Sequence, residues 1–232
     1  MILSAHQPAY LPWIGYFAKI AQSHTFVLHD RSRIGRRNML HRNRILTANG
    51  PLMLTVPLAH ADVRAELPLN EIRVVDDGWR RRHWKAIQLA YRRAPHFAQH
   101  ADFLADYYRR PYRTLDELCL PFLHYCAEAL ELDVPLLRVS RLDLPAFDRR
   151  TIIPTLCAAF RADEFIAGPH AVDYLDVNEI EELGIRLRIF SFDHPEYPQL
   201  HPGFTSHLSV LDLLMNCGPA SGGLLKGALD GP

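Results

Sequence analysis

The order of apolar and polar runs predicts an α/β fold: a mostly parallel sheet with Rossmann-like layering, an inserted hairpin and a helical middle segment. Three observations carry this. Strand, proline-containing loop, helix and strand follow one another within about the first 30 residues, the pattern of a βαβ unit. Two runs capable of pairing then flank Asn49-Gly50, a strong turn dipeptide. After a long helical stretch, the last third returns to short apolar strands and helices.

The elements follow in order. Residues 1–5 are short and apolar and read as a buried strand. Pro8 and Pro12 break the chain. Trp13, Phe17 and Ile20, with Ile14 and Ala21, recur at helical spacing and predict a helix over 12–22. Thr25-Phe26-Val27-Leu28 is a second apolar run that ends at His29-Asp30. Such βαβ units belong to parallel sheets covered by helices. Leu52, Leu54 and Val56 alternate with Met53 and Thr55, so 52–58 reads as a strand that could pair with 42–47. Ile72-Arg73-Val74-Val75 is another short strand. Trp79, His83, Ile87 and Tyr91 share one drifting helical face, and 97–108 and 114–132 continue the helical period. Pro121 must kink the last helix or mark its start. Strands follow at Leu136–Val139, 164–168 and 185–192, with helices at 151–161 and 208–216. Pro154 is tolerable in the first turn of the former helix. Residues 1–218 read as a single domain, and the turn-rich stretch 219–232 as a loose tail.

Composition narrows the function classes. With 232 residues, 48% apolar and 22% charged, the chain can bury a core that needs no disulfide or metal. Lys+Arg equals Asp+Glu, which removes the excess positive charge of a global nucleic-acid footprint. Charge is nonetheless uneven: Arg31, Arg33, Arg36, Arg37, Arg42 and Arg44 crowd an acid-free stretch, and Arg80-Arg81-Arg82 forms a second run. None of Cys119, Cys126, Cys157 and Cys217 makes a C-x-x-C pair, and three sit in apolar text, which favours a reducing compartment. The N-terminus lacks the basic segment and apolar core of a signal peptide, and no apolar stretch is long enough to span a bilayer. A cytoplasmic protein is expected.

The candidate catalytic residues are His6, His194 and Asp30. His6-Gln7-Pro8 follows the first strand at its carboxyl end, where ligands bind in open α/β sheets. Histidine there can act as acid, base or charged anchor, and the following helix offers free N–H groups to an anion; the alternative is a histidine that caps the turn. Asp30 ends the neighbouring strand, as a site residue or as a turn cap. The arginines suggest phosphate recognition, with Arg42-Asn43-Arg44 the tightest cluster, although a solvated basic loop accounts for most of them. His194-Pro195-Glu196-Tyr197-Pro198-Gln199 follows another strand and could converge with His6. Tyr10, Trp13, Tyr16 and Phe17 suit core and pocket wall better than catalysis. A metal held by His6, His194 and a carboxylate has no supporting spacing, so no metal is assigned. No G-x-S-x-G, P-loop or intact G-x-G-x-x-G is present, and no motif names a cofactor. Asp212, isolated in an apolar helix, needs a partner.

These residues fall into blocks that resemble the WbqC-like family over about residues 2–218. The first is His6-Gln7-Pro8-Ala9-Tyr10-Leu11-Pro12-Trp13 with Gly15-Tyr16-Phe17. Asp30, Arg42-Asn43-Arg44-Ile45, Asn49-Gly50 and Leu54-Thr55-Val56-Pro57 follow, then Trp79, His83, Ile87 and Tyr91 with Ala94-Pro95 and Phe97. Gly168-Pro169 with Tyr174-Leu175 comes next. The closing block is His194-Pro195, Tyr197, Gln199, Phe204, Leu208-Ser209, Asp212, Asn216 and Gly218. The chain departs from the family pattern at His29–Arg33, at the loop through His170, and at Ile180, where an aromatic is usual. The resemblance implies a transferase of bacterial surface polysaccharide (O-antigen) or specialised-metabolite biosynthesis. Acyl or aminoacyl transfer from a small-molecule or carrier-bound donor to an amino sugar or amine is the preferred reaction. Under it His6 or His194 acts as base, Asp30 orients a histidine, and Arg42 or Arg44 holds a donor phosphate. Gln7, Tyr10, Asn43, Tyr197 and Gln199 line the substrate site. A non-catalytic scaffold of a biosynthetic complex, or a nucleotidyl or glycosyl transferase, are the alternatives.

Overall fold

The computed structural model describes residues 1–35, 38–169, 171 and 175–229. Arg36, Arg37, His170 and Tyr174, named above, and tail residues 230–232 lie outside the described residues.

The N-terminal βαβ unit forms as expected: β1 (Ile2–His6), α1 (Ile14–Ala21) and β2 (Thr25–Leu28), the strands parallel with Leu3 opposite Thr25 and His6 opposite Leu28. Three later strands complete the sheet: β5 (Leu136–Arg138) beside β2, β6 (Glu164–Ala167) on the other side of β1, and β7 (Arg186–Ile189) beyond it. The order β5-β2-β1-β6-β7 is parallel throughout. Successive strands are added first to one side of β1 and then to the other, so the order reverses at the β1–β6 boundary, the topological switch point of a Rossmann-like sheet.

The inner strands β2 and β6 are buried on both faces, whereas the edge strand β7, Arg-Leu-Arg-Ile, alternates and is exposed at both ends. Leu3, Val27 and Phe165 pack with Ile153 and Leu156 of α6 (Ile152–Phe160) and with Ile180 of α7 (Val177–Glu182). Phe26 and Leu28, one residue out of phase, pack with Phe17 of α1 and Phe122 of α5 (Leu115–Ala129). Pro121 lies inside α5 and does not mark its start.

The inserted hairpin pairs β3 (Arg42–Thr47) with β4 (Gly50–Thr55). Gly50 supplies the positive φ of 96° that the turn requires. The short α2 (His60–Arg64) follows, then α3 (Trp79–Tyr91) and α4 (Phe97–Arg109), whose buried faces join the larger core with α8 (Val210–Cys217).

Three expectations need correction. Ile72–Val75 forms isolated bridges and no strand. Its backbone bonds are divided among several partners: Arg73 N–H donates to the Asp62 carboxylate, Val74 to the Arg113 carbonyl and Val75 to the Pro57 carbonyl, so no continuous ladder develops. The strand expected over 185–192 stops at Ile189: Phe190 N makes one last bond to the β6 carbonyl of Ala167, at 2.8 Å, and the Phe190 and Phe192 rings then stack on each other. The tail from 219 is not loose as a whole: Ser221–Gly227 forms α9 with Leu225 fully buried. Gly222 permits this close approach, since a Cβ there would lie 2.7 Å from the Leu130 carbonyl oxygen.

Candidate functional site

A cleft of about 390 Å³ opens at the carboxyl ends of β1 and β6, at the switch point. His6 and Gln7 enter it from β1, Lys19 from α1 and His29 from the end of β2. Ala167, Gly168 and Pro169 enter from β6, and Ile152, Ile153 and Leu156 of α6 form an apolar wall. Pro8 follows Gln7 and offers no N–H to extend a strand ladder. Two donors converge on the Gln7 carbonyl, the Tyr16 hydroxyl and His6 Nδ1, each at 3.0 Å. The Tyr16 ring meets the His6 ring edge-on at 4.9 Å. This sets the imidazole at the cleft and fixes its tautomer. A carbonyl only accepts, so Nδ1 carries the proton and Nε2 keeps its lone pair. Burial, assisted by the Lys19 charge, lowers the His6 pKa to about 4, so the ring is neutral at physiological pH.

Lys19 escaped the sequence reading. It is only 4% exposed, donates to the Ala5 carbonyl at 2.8 Å, and burial lowers its pKa to about 7. Its signal was a single lysine inside the apolar run Ile14–Ala21, but the face it presents depends on how α1 lies on the sheet. His29 in the same cleft has its pKa lowered by burial, against the opposing pull of Asp30.

The other expected site residues do not join this cleft. Asp30 is fully buried, accepts from Arg138 Nε at 2.9 Å and Ser140 N at 2.9 Å, and also bonds the Ser140 hydroxyl. Arg138 continues to Asp116, which bonds the Thr114 hydroxyl. No histidine is among the partners of Asp30 in the described residues; its carboxylate ties the end of β2 to the segment following β5. Tyr10 is a core residue whose hydroxyl bonds His83 Nδ1 at 2.9 Å and the Tyr108 hydroxyl at 2.6 Å. Asn43 donates to the carbonyl of Leu11 at 2.6 Å, clamping a non-glycine residue at φ 46°. Arg42 bonds the Asn38 carbonyl at 3.1 Å and Arg44 that of His207 at 3.4 Å. Arg33 pairs with Glu66, and Arg31 lies over the Phe147 ring.

His194, Tyr197 and Gln199 build a second centre around Trp13 and α8. His194 stacks with Trp13 and Tyr197, and tilts against His207 with centroids 5.3 Å apart. Its Nδ1 donates to the Pro195 carbonyl at 2.9 Å, leaving Nε2 buried without a partner among the described residues; burial lowers its pKa. Gln199 holds the chain at Thr205 through both amide atoms and donates to Asp212 at 2.8 Å. Asp212 also accepts from the Tyr91 hydroxyl at 2.9 Å, which in turn accepts from Leu46 N at 3.0 Å. Burial raises the Asp212 pKa despite these donors. The partner expected for this acid is therefore a set of neutral donors. His194 is not among the residues lining the His6 cleft. Among the described residues, no three His, Cys, Asp or Glu side chains gather into a metal-binding group.

The description of the WbqC-like protein family matches residues 7–223. The chain belongs to that family. This WbqC-like chain is also 34% identical over 215 residues to the uncharacterized protein Rv1507c of Mycobacterium tuberculosis (strain ATCC 25618 / H37Rv), a match that covers 91% of this chain and 92% of the relative. No solved structure matches it. The family match begins at Gln7 and ends within α9, so it takes in Lys19, His29, α6 and the second centre. No described helix is long and apolar enough to cross a membrane.

Proposed function

We propose that this WbqC-like protein is a transferase of bacterial surface polysaccharide or specialised-metabolite biosynthesis, moving an acyl or aminoacyl group onto an amino sugar or amine. The observation that carries the reading is a neutral His6, its Nε2 unprotonated, at a cleft on the switch point of a parallel sheet. In the proposed reaction the acceptor amine attacks the acyl carbon of an activated ester or thioester. A C–N bond forms and the C–O or C–S bond breaks. His6 Nε2 takes the amine proton as the N–H becomes acidic and passes it to the leaving group. Gln7, beside it in the cleft, positions the acceptor, and the apolar wall on α6 accommodates the acyl chain.

The test is a thermal-shift screen of wild type and His6→Ala against nucleotide sugars, acyl-CoA compounds and acyl-carrier thioesters, followed by a transfer assay with the class that binds. A ligand at a hundred times its dissociation constant raises stability by about 2.7 kcal/mol. Stabilisation by one donor class, with turnover abolished in a folded His6→Ala protein, is the expected result. Unchanged turnover removes His6 from the mechanism. No response to any donor at saturation favours the scaffold reading.

A further inference from the structure

The proposed transfer leaves Lys19 without a role, and its surroundings define one. Its ammonium has three donors, and one of them is engaged, at the Ala5 carbonyl. No carboxylate pairs with it among the described residues, although it is almost wholly buried. The titratable groups that share its cleft, His6 from β1 and His29 from the end of β2, are both bases. The nearest acid in sequence, Asp30, is committed to Arg138 and Ser140. His29 adds a buried Nδ1 that has no hydrogen-bond partner among the described residues. A desolvated cation is costly unless an anion accompanies it. Among the described residues, the cleft thus has basic nitrogens on one side, an apolar wall on the other and no acid between them.

We propose that Lys19 binds the anionic head of a ligand, a carboxylate or a phosphate, whose apolar body lies against Ile152, Ile153 and Leu156. The inference deepens the transferase reading, and rests on it for the identity of this ligand as the donor. Binding itself is independent of turnover. An anion at Lys19 favours the protonated amine, so affinity falls as pH rises past about 7, the pKa to which burial lowers this lysine.

The experiment measures binding to the full chain by calorimetry, with hexanoate, hexyl methyl phosphate and hexanol as probes. Both anions stay singly charged between pH 6 and 8.5, and hexanol supplies the same apolar body without charge. One anion should bind wild type at pH 6 at least tenfold more tightly than hexanol, and the anion that does so distinguishes a carboxylate from a phosphate ligand. Its affinity should fall about thirtyfold between pH 6 and 8.5 if only the charged amine binds. Lys19→Met and Lys19→Gln should each lose at least tenfold in anion affinity while binding hexanol as before. Equal binding of anion and alcohol, no anion binding at pH 6, or anion binding unchanged in either variant overturns the inference. If neither variant folds, the wild-type pH series decides, since a flat series overturns it. Anion binding without transfer leaves this inference standing while the transferase reading fails; transfer that Lys19→Met does not alter, with anion binding lost, removes only the identification of this ligand as the donor.

Discussion

Replacing Lys19 by methionine should stabilise the folded chain at neutral pH, because the side chain is apolar in its stem and costly only at its head. The lysine has a pKa of about 7 in place of the ordinary 10.5. At about 1.36 kcal/mol per pH unit, that difference corresponds to roughly 4–5 kcal/mol of charge burial near pH 7. Methionine forfeits the hydrogen bond to the Ala5 carbonyl, about 1 kcal/mol. The net gain is about 3 kcal/mol, or about 6–12 °C in Tm for a domain of this size. The pH dependence carries the sharper signature. Below pH 7 both folded and unfolded chains hold the proton, so the cost of the lysine is fully present. Between 7 and 10.5 the unfolded chain binds more protons than the folded one, so stability rises with pH and the cost disappears. Wild type should therefore gain about 2.5 kcal/mol on the variant between pH 7.5 and 9.5. Urea unfolding of both proteins at four pH values across that range measures it. A difference that stays constant with pH would refute the argument, since it would mean that Lys19 is not a desolvated cation in the folded state.

Other perturbations separate structure from chemistry. Asp30→Ala leaves Arg138 without one of its two carboxylates and Ser140 N without its acceptor; a loss of about 3–5 kcal/mol is expected from urea midpoints. Tyr91→Phe strips partners from both Leu46 N and Asp212, and should lower stability by about 1–3 kcal/mol while leaving hexanoate affinity at the cleft unchanged. Leu225→Ala should cost about 2–4 kcal/mol in the same assay if α9 is part of the core; a change within about 0.5 kcal/mol would restore the view of a loose tail. Gly218→Ala combines a positive φ of 50° with a Cβ that would collide with the His96 ring, and should reduce Tm by several degrees, as read by calorimetry.

Much of the architecture was legible because its signals are local. The period-2 and period-3.6 patterns located the N-terminal βαβ unit, the hairpin about Asn49-Gly50 and the helices of the middle segment. Ile72–Val75 has the residues of a strand but no single neighbour to pair with, and a sequence window contains no information about neighbours. The α9 region was misread because Gly222-Gly223 disfavours a helix, whereas packing against Leu130 requires a residue without a side chain. The onset of α7 was readable and passed over: Asp176 caps it by accepting from Asn178 N and Glu179 N.

The site divides the same way. His6 could be singled out from sequence because it ends an apolar strand before a proline, and strand ends are where ligands bind in such sheets. Its chemical state could not, since the tautomer depends on the Gln7 carbonyl and the low pKa on burial. The expectation that His6 and His194 converge rested on each following a strand. The two do not line one cleft: β1 is central and β7 is at the edge, and the chain leaving β7 runs to Trp13, where His194 stacks. Asp30, Tyr10, Asn43 and Gln199 have the residue types of a site, but their hydrogen-bonding capacity is engaged by partners remote in sequence. Sequence alone determined most of the elements and the family, because periodicity and motif order are properties of the chain. Tertiary structure decided which polar groups remain free for a ligand, because that depends on what the fold has placed within about 3 Å of each one.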